Sequence, residues 1–141
     1  SKAVEYAQKK GIRIAIETEG AVAKKNHLLM QHPQEYERFF KHFTSSEIGI
    51  NLNLGHLNLA SKANAFETSE FVDVVAEYIV AMELSHNDGI EDEHRPLIKG
   101  MWYWELITDS RFDEAYKILE FRNASIETVS ENLELCLAYL K

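Results

Sequence analysis

The sequence predicts an α/β fold in which βα units repeat around a parallel sheet. Two observations support this prediction: apolar, β-rich runs alternate four times with segments of helical periodicity, and each run is followed by polar side chains that can bind metal ions. Strands separated by helices pair in parallel, and the crossovers are right-handed. The chain has 141 residues, and we expect one domain over residues 1–141. An open doubly wound sheet and a barrel segment both fit this pattern.

The first half of the chain contains a leading helix and two βα units. The leading helix extends to Lys10, and Gly11 is a typical residue after a helix end. Residues 12–17 alternate between apolar and polar side chains, which predicts the first strand. Pro33 begins a helix whose aromatic residues repeat at helical spacing, and residues 48–54 form the second strand.

The second half follows the same order. A helix begins at Thr68 and leads into an apolar run over residues 79–84, which is the third predicted strand. Residues 101–107 are predicted to be helical, and residues 116–121 form the fourth strand. Ser125 is a typical N-cap for the last helix.

The composition excludes several classes of protein. A hydrophobic fraction of 45% with 27% charged residues is typical of a folded domain. No apolar stretch reaches the roughly 18 residues that a membrane span needs. The net charge of −8 opposes binding to nucleic acid. The single cysteine, Cys136, cannot form an internal disulfide, so we expect a cytoplasmic protein.

Residues that can coordinate a cation follow each predicted strand. The first two strands bring Glu17 and then Asn53 with His56, the third is followed by His86, and the fourth contains Glu120. The carboxyl ends of parallel strands lie on one face, where the loops form an active site. Each residue alone is typical of an ordinary surface position, but two carboxylates, an amide and two imidazoles together are typical ligands of a divalent metal. The repetition in four successive units favours such a site.

The segment after the third strand carries more polar residues. Asp92 and His94 either form a surface ion pair or extend and support the metal site. The neighbouring Arg95 either contacts a phosphate or carboxylate of a ligand or lies in solvent.

These residues resemble the sugar phosphate isomerase/epimerase family of the xylose isomerase-like superfamily. The resemblance rests on residues 16–17, 53–56, 86–94 and 119–120 and extends over nearly the whole chain; the segment 86–94 is its most specific part. The fold of this family is an eight-stranded (β/α) barrel. The resemblance implies that the chain supplies the second half of such a barrel, strands five to eight, as four βα units.

The resemblance also implies a metal site. The family binds a divalent ion (Mn, Mg, Co or Zn) through a Glu, an Asp, a His and a Glu on these four strands. Carried over by position, the ligands are Glu17, Asn53, His86 and Glu120. Asn53 replaces the family's Asp, so this set carries two negative charges instead of three, and we expect weaker metal binding.

The implied function is metal-dependent isomerisation or epimerisation of a sugar or sugar phosphate. Glu17 and Glu120 would transfer the protons, as the two glutamates do in epimerases of this family. The predicted substrate contacts are His56, Asp92, His94 and Arg95.

The sequence is also compatible with two alternatives. The chain is either a non-catalytic or degenerate half-barrel, or a relative of the apurinic/apyrimidinic endonucleases of the superfamily, whose zinc ligands include a pair resembling Asp92 and His94. A complete barrel needs roughly 250 residues. We therefore expect either a homo-oligomer or an N-terminal half outside this sequence.

Overall fold

The computed structural model describes residues 1–20 and 28–140, in which helices alternate with strands. The strands are β1 (Ile14–Glu17), β2 (Ile48–Asn53), β3 (Ile79–Leu84) and β4 (Tyr116–Leu119). The helices are α1 (Lys2–Lys9), α2 (Pro33–Phe40), α3 (Leu54–Asn64), α4 (Thr68–Val75), α5 (Tyr103–Ile107) and α6 (Ile126–Tyr139). Short 3-10 turns precede β3 at Ala76–Tyr78 and β4 at Ser110–Phe112.

The strands form one parallel sheet in the order β1-β2-β3-β4. Neighbours in the chain are therefore neighbours in the sheet, as expected for consecutive βα units. One face of the sheet packs against the helices, and its side chains are fully buried: Ile50, Leu52, Met82 and Leu84. Because side chains alternate along a strand, the intervening residues point to the opposite face.

The helix α3 was not predicted from the sequence, which indicated no helix between the second strand and Thr68. It follows β2 directly, and its first turn is capped by the side chain of Asn53. Most of its residues are buried, on several sides of the helix. A helix buried in this way lacks the one-sided apolar period by which a helix is usually identified.

The ends of several elements differ from the prediction. The first strand begins at Ile14 rather than at residue 12, and the second ends at Asn53, because Leu54 begins α3. The helix predicted over residues 101–107 begins at Tyr103, and the fourth strand ends at Leu119 rather than at residue 121. Glu120 remains tied to the sheet, because its backbone N–H donates to the Leu84 carbonyl at 3.2 Å. Glu120 thus lies at the carboxyl edge of the sheet.

The start of α2 is held by Glu35. Its Oε2 accepts hydrogen bonds from the backbone N–H groups of Gln31 at 2.8 Å and His32 at 2.9 Å. These bonds hold the pKa of the Glu35 carboxyl below its usual range despite partial burial, and the bond from His32 has the largest effect. Since the pKa is lowered in the folded state, the stabilisation is present at neutral pH and is lost as the pH falls through that lowered pKa.

We expect Glu35→Ala to lower the free energy of unfolding by about 1 kcal/mol at pH 7. The loss of stability relative to the wild type should shrink in acid, because the wild-type Glu35 carboxylate is then protonated. Urea unfolding at several pH values measures this difference. Glu37→Ala, an exposed position on the same helix, is the control and should change stability little at either pH.

Within the described residues, no helix combines the length and the apolar character needed to cross a lipid bilayer.

Candidate active site at the carboxyl edge of the sheet

Asn53 lies at the centre of the carboxyl edge. It is fully buried, and its Nδ2 lies within hydrogen-bonding distance of three carboxylate oxygens, which share its two hydrogens: Glu17 Oε1 at 3.1 Å, Glu83 Oε2 at 3.0 Å and Glu120 Oε2 at 3.1 Å. The three glutamates come from β1, from β3 and from the position after β4. One amide therefore connects the ends of all four strands, and it brings Glu17, Asn53 and Glu120 together as the sequence predicted them to meet.

The oxygen of the Asn53 amide points the other way, into the helix α3. Asn53 Oδ1 accepts the backbone N–H of His56 at 3.1 Å, which is an N-cap. The backbone N–H of Asn53 donates to Thr18 Oγ1 at 2.9 Å, which fixes the residue further. Because the cap requires an acceptor, this network decides which end of the amide is oxygen and which is nitrogen.

Glu83 also lies at this edge, although the sequence did not predict it among the candidate site residues. It is paired in register with Asn53, so both side chains lie on the same face of the sheet. Asn51 Nδ2 donates to the second oxygen of Glu83 at 2.7 Å. The signal in the sequence was a single acidic residue inside the apolar run 79–84, on the side of the strand opposite the core.

Two imidazoles and a carboxylate form a second cluster beside the glutamates. His56 Nε2 lies 3.6 Å from Asp92 Oδ1, and His94 Nε2 lies 2.9 Å from Asp92 Oδ2. One ligand atom from each of the three residues lies within 4.8 Å of the others. Within residues 1–20 and 28–140, no other group of three or more His, Cys, Asp or Glu brings its ligand atoms this close. We call these three residues the His–Asp–His cluster.

The hydrogen bonding of His56 determines which of its ring nitrogens faces Asp92. Its Nδ1 lies 2.7 Å from the Thr18 carbonyl oxygen, which can only accept, so Nδ1 carries the hydrogen and donates it. In the neutral ring, Nε2 then presents a lone pair to Asp92. A lone pair and a carboxylate oxygen repel each other unless a proton or a metal ion lies between them. The donor set of the His–Asp–His cluster therefore fits a divalent metal.

Arg122 donates hydrogen bonds to Asp92, and Glu120 lies beside His94. Arg122 donates to the Asp92 carbonyl oxygen at 2.8 Å and to Asp92 Oδ2 at 3.0 Å. His94, whose φ of 49° is left-handed, has its Nδ1 3.0 Å from Glu120 Oε2. Glu120 thus contacts both Asn53 and His94 and connects the two clusters. The sequence offered no motif by which Arg122 could have been found.

The His–Asp–His cluster shares an open cleft with Glu17 and Glu120, and the volume of the cleft is about 430 Å³. Its lining residues are Glu17, Glu19, Gly20, Leu28, His56, Asp92, His94, Glu120 and Arg122. A Cβ at Gly20 would lie only 2.8 Å from His56 Cα, so the loop after β1 can pass His56 only with glycine there. The cleft is large enough for a small polar ligand.

Burial raises the pKa of Glu17 above its ordinary value, and the nearby carboxylates of Glu83 and Glu120 raise it further. The hydrogen bond from Asn53 and the proximity of His56 act in the opposite direction. A carboxyl group with a raised pKa can both accept and release a proton closer to neutral pH.

Two predicted site residues lie elsewhere. The backbone of His86 pairs with that of Arg95, and its ring packs against Tyr103 at 5.9 Å between centroids. Burial lowers the pKa of His86, which favours the neutral ring, and among the described residues its Nδ1 has no hydrogen-bond partner. Arg95 pairs with Glu93 at 2.7 Å and Asp88 at 3.6 Å. In the described part of the chain, no hydrogen bond or ion pair joins either side chain to Asn53 or to the His–Asp–His cluster.

Comparison with known proteins relates this geometry to one fold. The family model described as xylose isomerase-like TIM barrel matches residues 1–139. The crystal structure of a D-tagatose 3-epimerase-like protein superposes with a TM-score of 0.77 at 23% sequence identity, over 99% of this chain and 51% of that chain. No curated protein matches the chain. The chain thus spans about half the length of the structure that it resembles.

Proposed function

Because the chain belongs to the xylose isomerase-like TIM-barrel family, we propose that it is half of a barrel enzyme that isomerises or epimerises a sugar or sugar phosphate with a divalent metal as cofactor. The fold class is confirmed, since the four βα units form part of a barrel of this type. The observation that carries the functional proposal is the convergence of the His–Asp–His cluster with Glu17 and Glu120 in one cleft.

The metal would be held by His56, Asp92 and His94. Two imidazole nitrogens with one carboxylate suit Zn, Co or Mn better than Mg, which prefers oxygen ligands. When bound, such an ion polarises the carbonyl and hydroxyl oxygens of a sugar and stabilises the charge of an enolate.

Glu17 and Glu120 would move the protons. One carboxylate accepts the proton from the carbon beside the carbonyl, and the other returns a proton. Both contact Asn53 Nδ2, and each also lies beside an imidazole: Glu17 Oε1 is 3.3 Å from His56 Nδ1, and Glu120 Oε2 is 3.0 Å from His94 Nδ1. These contacts orient the two carboxylates toward the same cleft.

We expect His94→Ala to weaken binding of Zn²⁺ or Mn²⁺ by roughly 100-fold or more, because it removes one of three ligands. Calorimetric titration of the metal into the apoprotein measures this. His42→Ala removes an exposed imidazole outside the cleft and is the matched control. An unchanged affinity in His94→Ala would contradict the assignment.

The half-barrel leaves apolar surface that further βα units would cover. Tyr116 is in register with Ala81 and lies on the same face as Glu17, yet it is 77% exposed. On α6, Leu133 and Leu137 are about half exposed. We propose that another half, from the same protein or from a second copy, packs against this surface.

The isolated chain should therefore associate as its concentration rises, as light scattering after size-exclusion chromatography can show. Tyr116→Arg should shift the mass toward the monomer, because it places a charge on the uncovered face. Tyr6→Arg, at an exposed tyrosine of α1, should leave the mass unchanged. A monomer at all concentrations would argue against self-association.

Metal-dependent hydrolysis of abasic DNA is the second candidate. The His–Asp–His cluster favours it, since a metal held there can also activate water. The net charge of −8 opposes it. Cleavage of an abasic oligonucleotide by metal-loaded protein, abolished in His94→Ala, would support hydrolysis over sugar chemistry.

A further inference from the structure

The three glutamates at the carboxyl edge converge on a nitrogen atom. Asn53 Nδ2 lies within 3.1 Å of one oxygen each from Glu17, Glu83 and Glu120. Three carboxylates repel one another unless a cation, a proton or hydrogen-bond donors lie between them. Here the amide hydrogens of a fully buried residue occupy that central position.

The amide cannot turn at low cost. A rotation that pointed Oδ1 at the glutamates would remove the cap on the His56 N–H and place an oxygen against three carboxylates. Leaving a helix N-terminus uncapped costs about 1 kcal/mol. Asn53 therefore presents a donor to the glutamates, and a metal ligand must be an acceptor.

The ligand set implied by resemblance therefore does not fit a metal in this chain. Asn53 offers nitrogen instead of oxygen, and His86 packs against Tyr103 away from the glutamates. Glu83 stands on β3 in register with Asn53. The carboxyl edge thus carries three carboxylates and a neutral amide rather than the two carboxylates expected from the sequence.

We propose that the Asn53 amide takes the place of a cation among Glu17, Glu83 and Glu120, so that the divalent ion is bound by the His–Asp–His cluster and none by the glutamates. This inference rests on the proposed function for the ion at the His–Asp–His cluster. It deepens the mechanism, because Glu17 and Glu120 are then released from metal ligation and remain free to transfer protons.

Asn53→Asp should open a second metal site. Aspartate can still cap α3 with one oxygen, while its other oxygen joins three carboxylates that no longer have a donor between them. Four converging oxygens favour a hard cation such as Mn²⁺. The metal should then also stabilise the folded variant against heat, which gives a readout besides activity.

The experiment is a Mn²⁺ titration, with metal analysis after dialysis, of the unaltered protein and of His94→Ala, Asn53→Asp and the double variant. We expect one ion in the unaltered protein, none in His94→Ala, two in Asn53→Asp and one in the double variant. An ion bound by His94→Ala and lost on adding Glu83→Gln would overturn the inference. A folded double variant that binds no ion would overturn it as well.

The test separates this inference from the proposed function. If the unaltered protein binds no ion but Asn53→Asp binds one, the inferred role of Asn53 is supported, and the proposal that the His–Asp–His cluster binds an ion is wrong. If Asn53→Asp does not fold without metal, the result for His94→Ala decides, since that variant keeps Asn53 and all three glutamates. Circular dichroism of each apoprotein establishes which variants are folded.

Discussion

Glutamine in place of Glu120 should lower the turnover of a responsive sugar in the assembled protein by roughly 100- to 10,000-fold, the usual contribution of general acid–base catalysis. The amide keeps the size of the side chain but cannot exchange a proton. Glu17→Gln should cause a loss of similar size, because the reaction needs one group to accept a proton and another to return it. Metal affinity should change much less than in His94→Ala, since neither glutamate belongs to the His–Asp–His cluster.

The two roles can be separated by isotope exchange. The variant that lacks the base should lose exchange between solvent deuterium and the carbon beside the carbonyl. The variant that lacks the acid should keep that exchange and lose product formation. Glu19→Gln changes a carboxylate that lines the same cleft but is bonded to neither Asn53 nor an imidazole in the described contacts. That control should retain turnover, and two site variants as active as the control would exclude the assignment.

Much of the fold could be predicted because its signals are local. The β-rich runs, Pro33 at the start of α2 and Ser125 at the start of α6 each act within a few residues. Alternation of strands and helices then led to a parallel sheet. The helix α3 escaped because its burial on several sides erases the period that marks a surface helix.

The sequence could predict a site residue only where the position of that residue along a strand determines where its side chain lies. Glu17, Asn53 and Glu120 meet because the ends of parallel strands share one edge. Glu83 depends on the register with Asn53, which no single segment of sequence reveals. His86 lies two residues beyond β3, where the pairing with Arg95 takes its ring to Tyr103. The direction of the Asn53 amide depends on the cap of α3, a contact of the folded chain.

Asn53→Ala should be among the most destabilising single changes in the site. It removes the N-cap of α3 and leaves Glu17, Glu83 and Glu120 without their shared donor. A cap contributes about 1 kcal/mol and hydrogen bonds to charged groups about 1.5–3 kcal/mol. We expect a loss of about 3 kcal/mol or more in the free energy of unfolding at pH 7, measured by urea denaturation.

The control is Asn132→Ala, which deletes another buried amide. Asn132 Oδ1 accepts the Leu97 N–H at 2.8 Å and its Nδ2 donates to the Thr128 carbonyl at 3.2 Å, both neutral backbone groups. The free energy of unfolding of Asn132→Ala should fall by about 1–2 kcal/mol, and this loss should be independent of pH. The loss in Asn53→Ala should depend on pH, because the Asn53 hydrogen bond lowers the pKa of Glu17 and its removal raises that pKa further.

The sign of that dependence follows from proton linkage. With a higher pKa in the folded variant, the folded state binds a proton more readily than the unfolded chain, so the variant regains stability as the pH falls through that raised pKa. The deficit of Asn53→Ala should therefore be larger at pH 8 than at pH 5, whereas that of Asn132→Ala should be the same. Equal pH dependence in the two variants would mean that Asn53 acts only as a cap and does not hold three charges together.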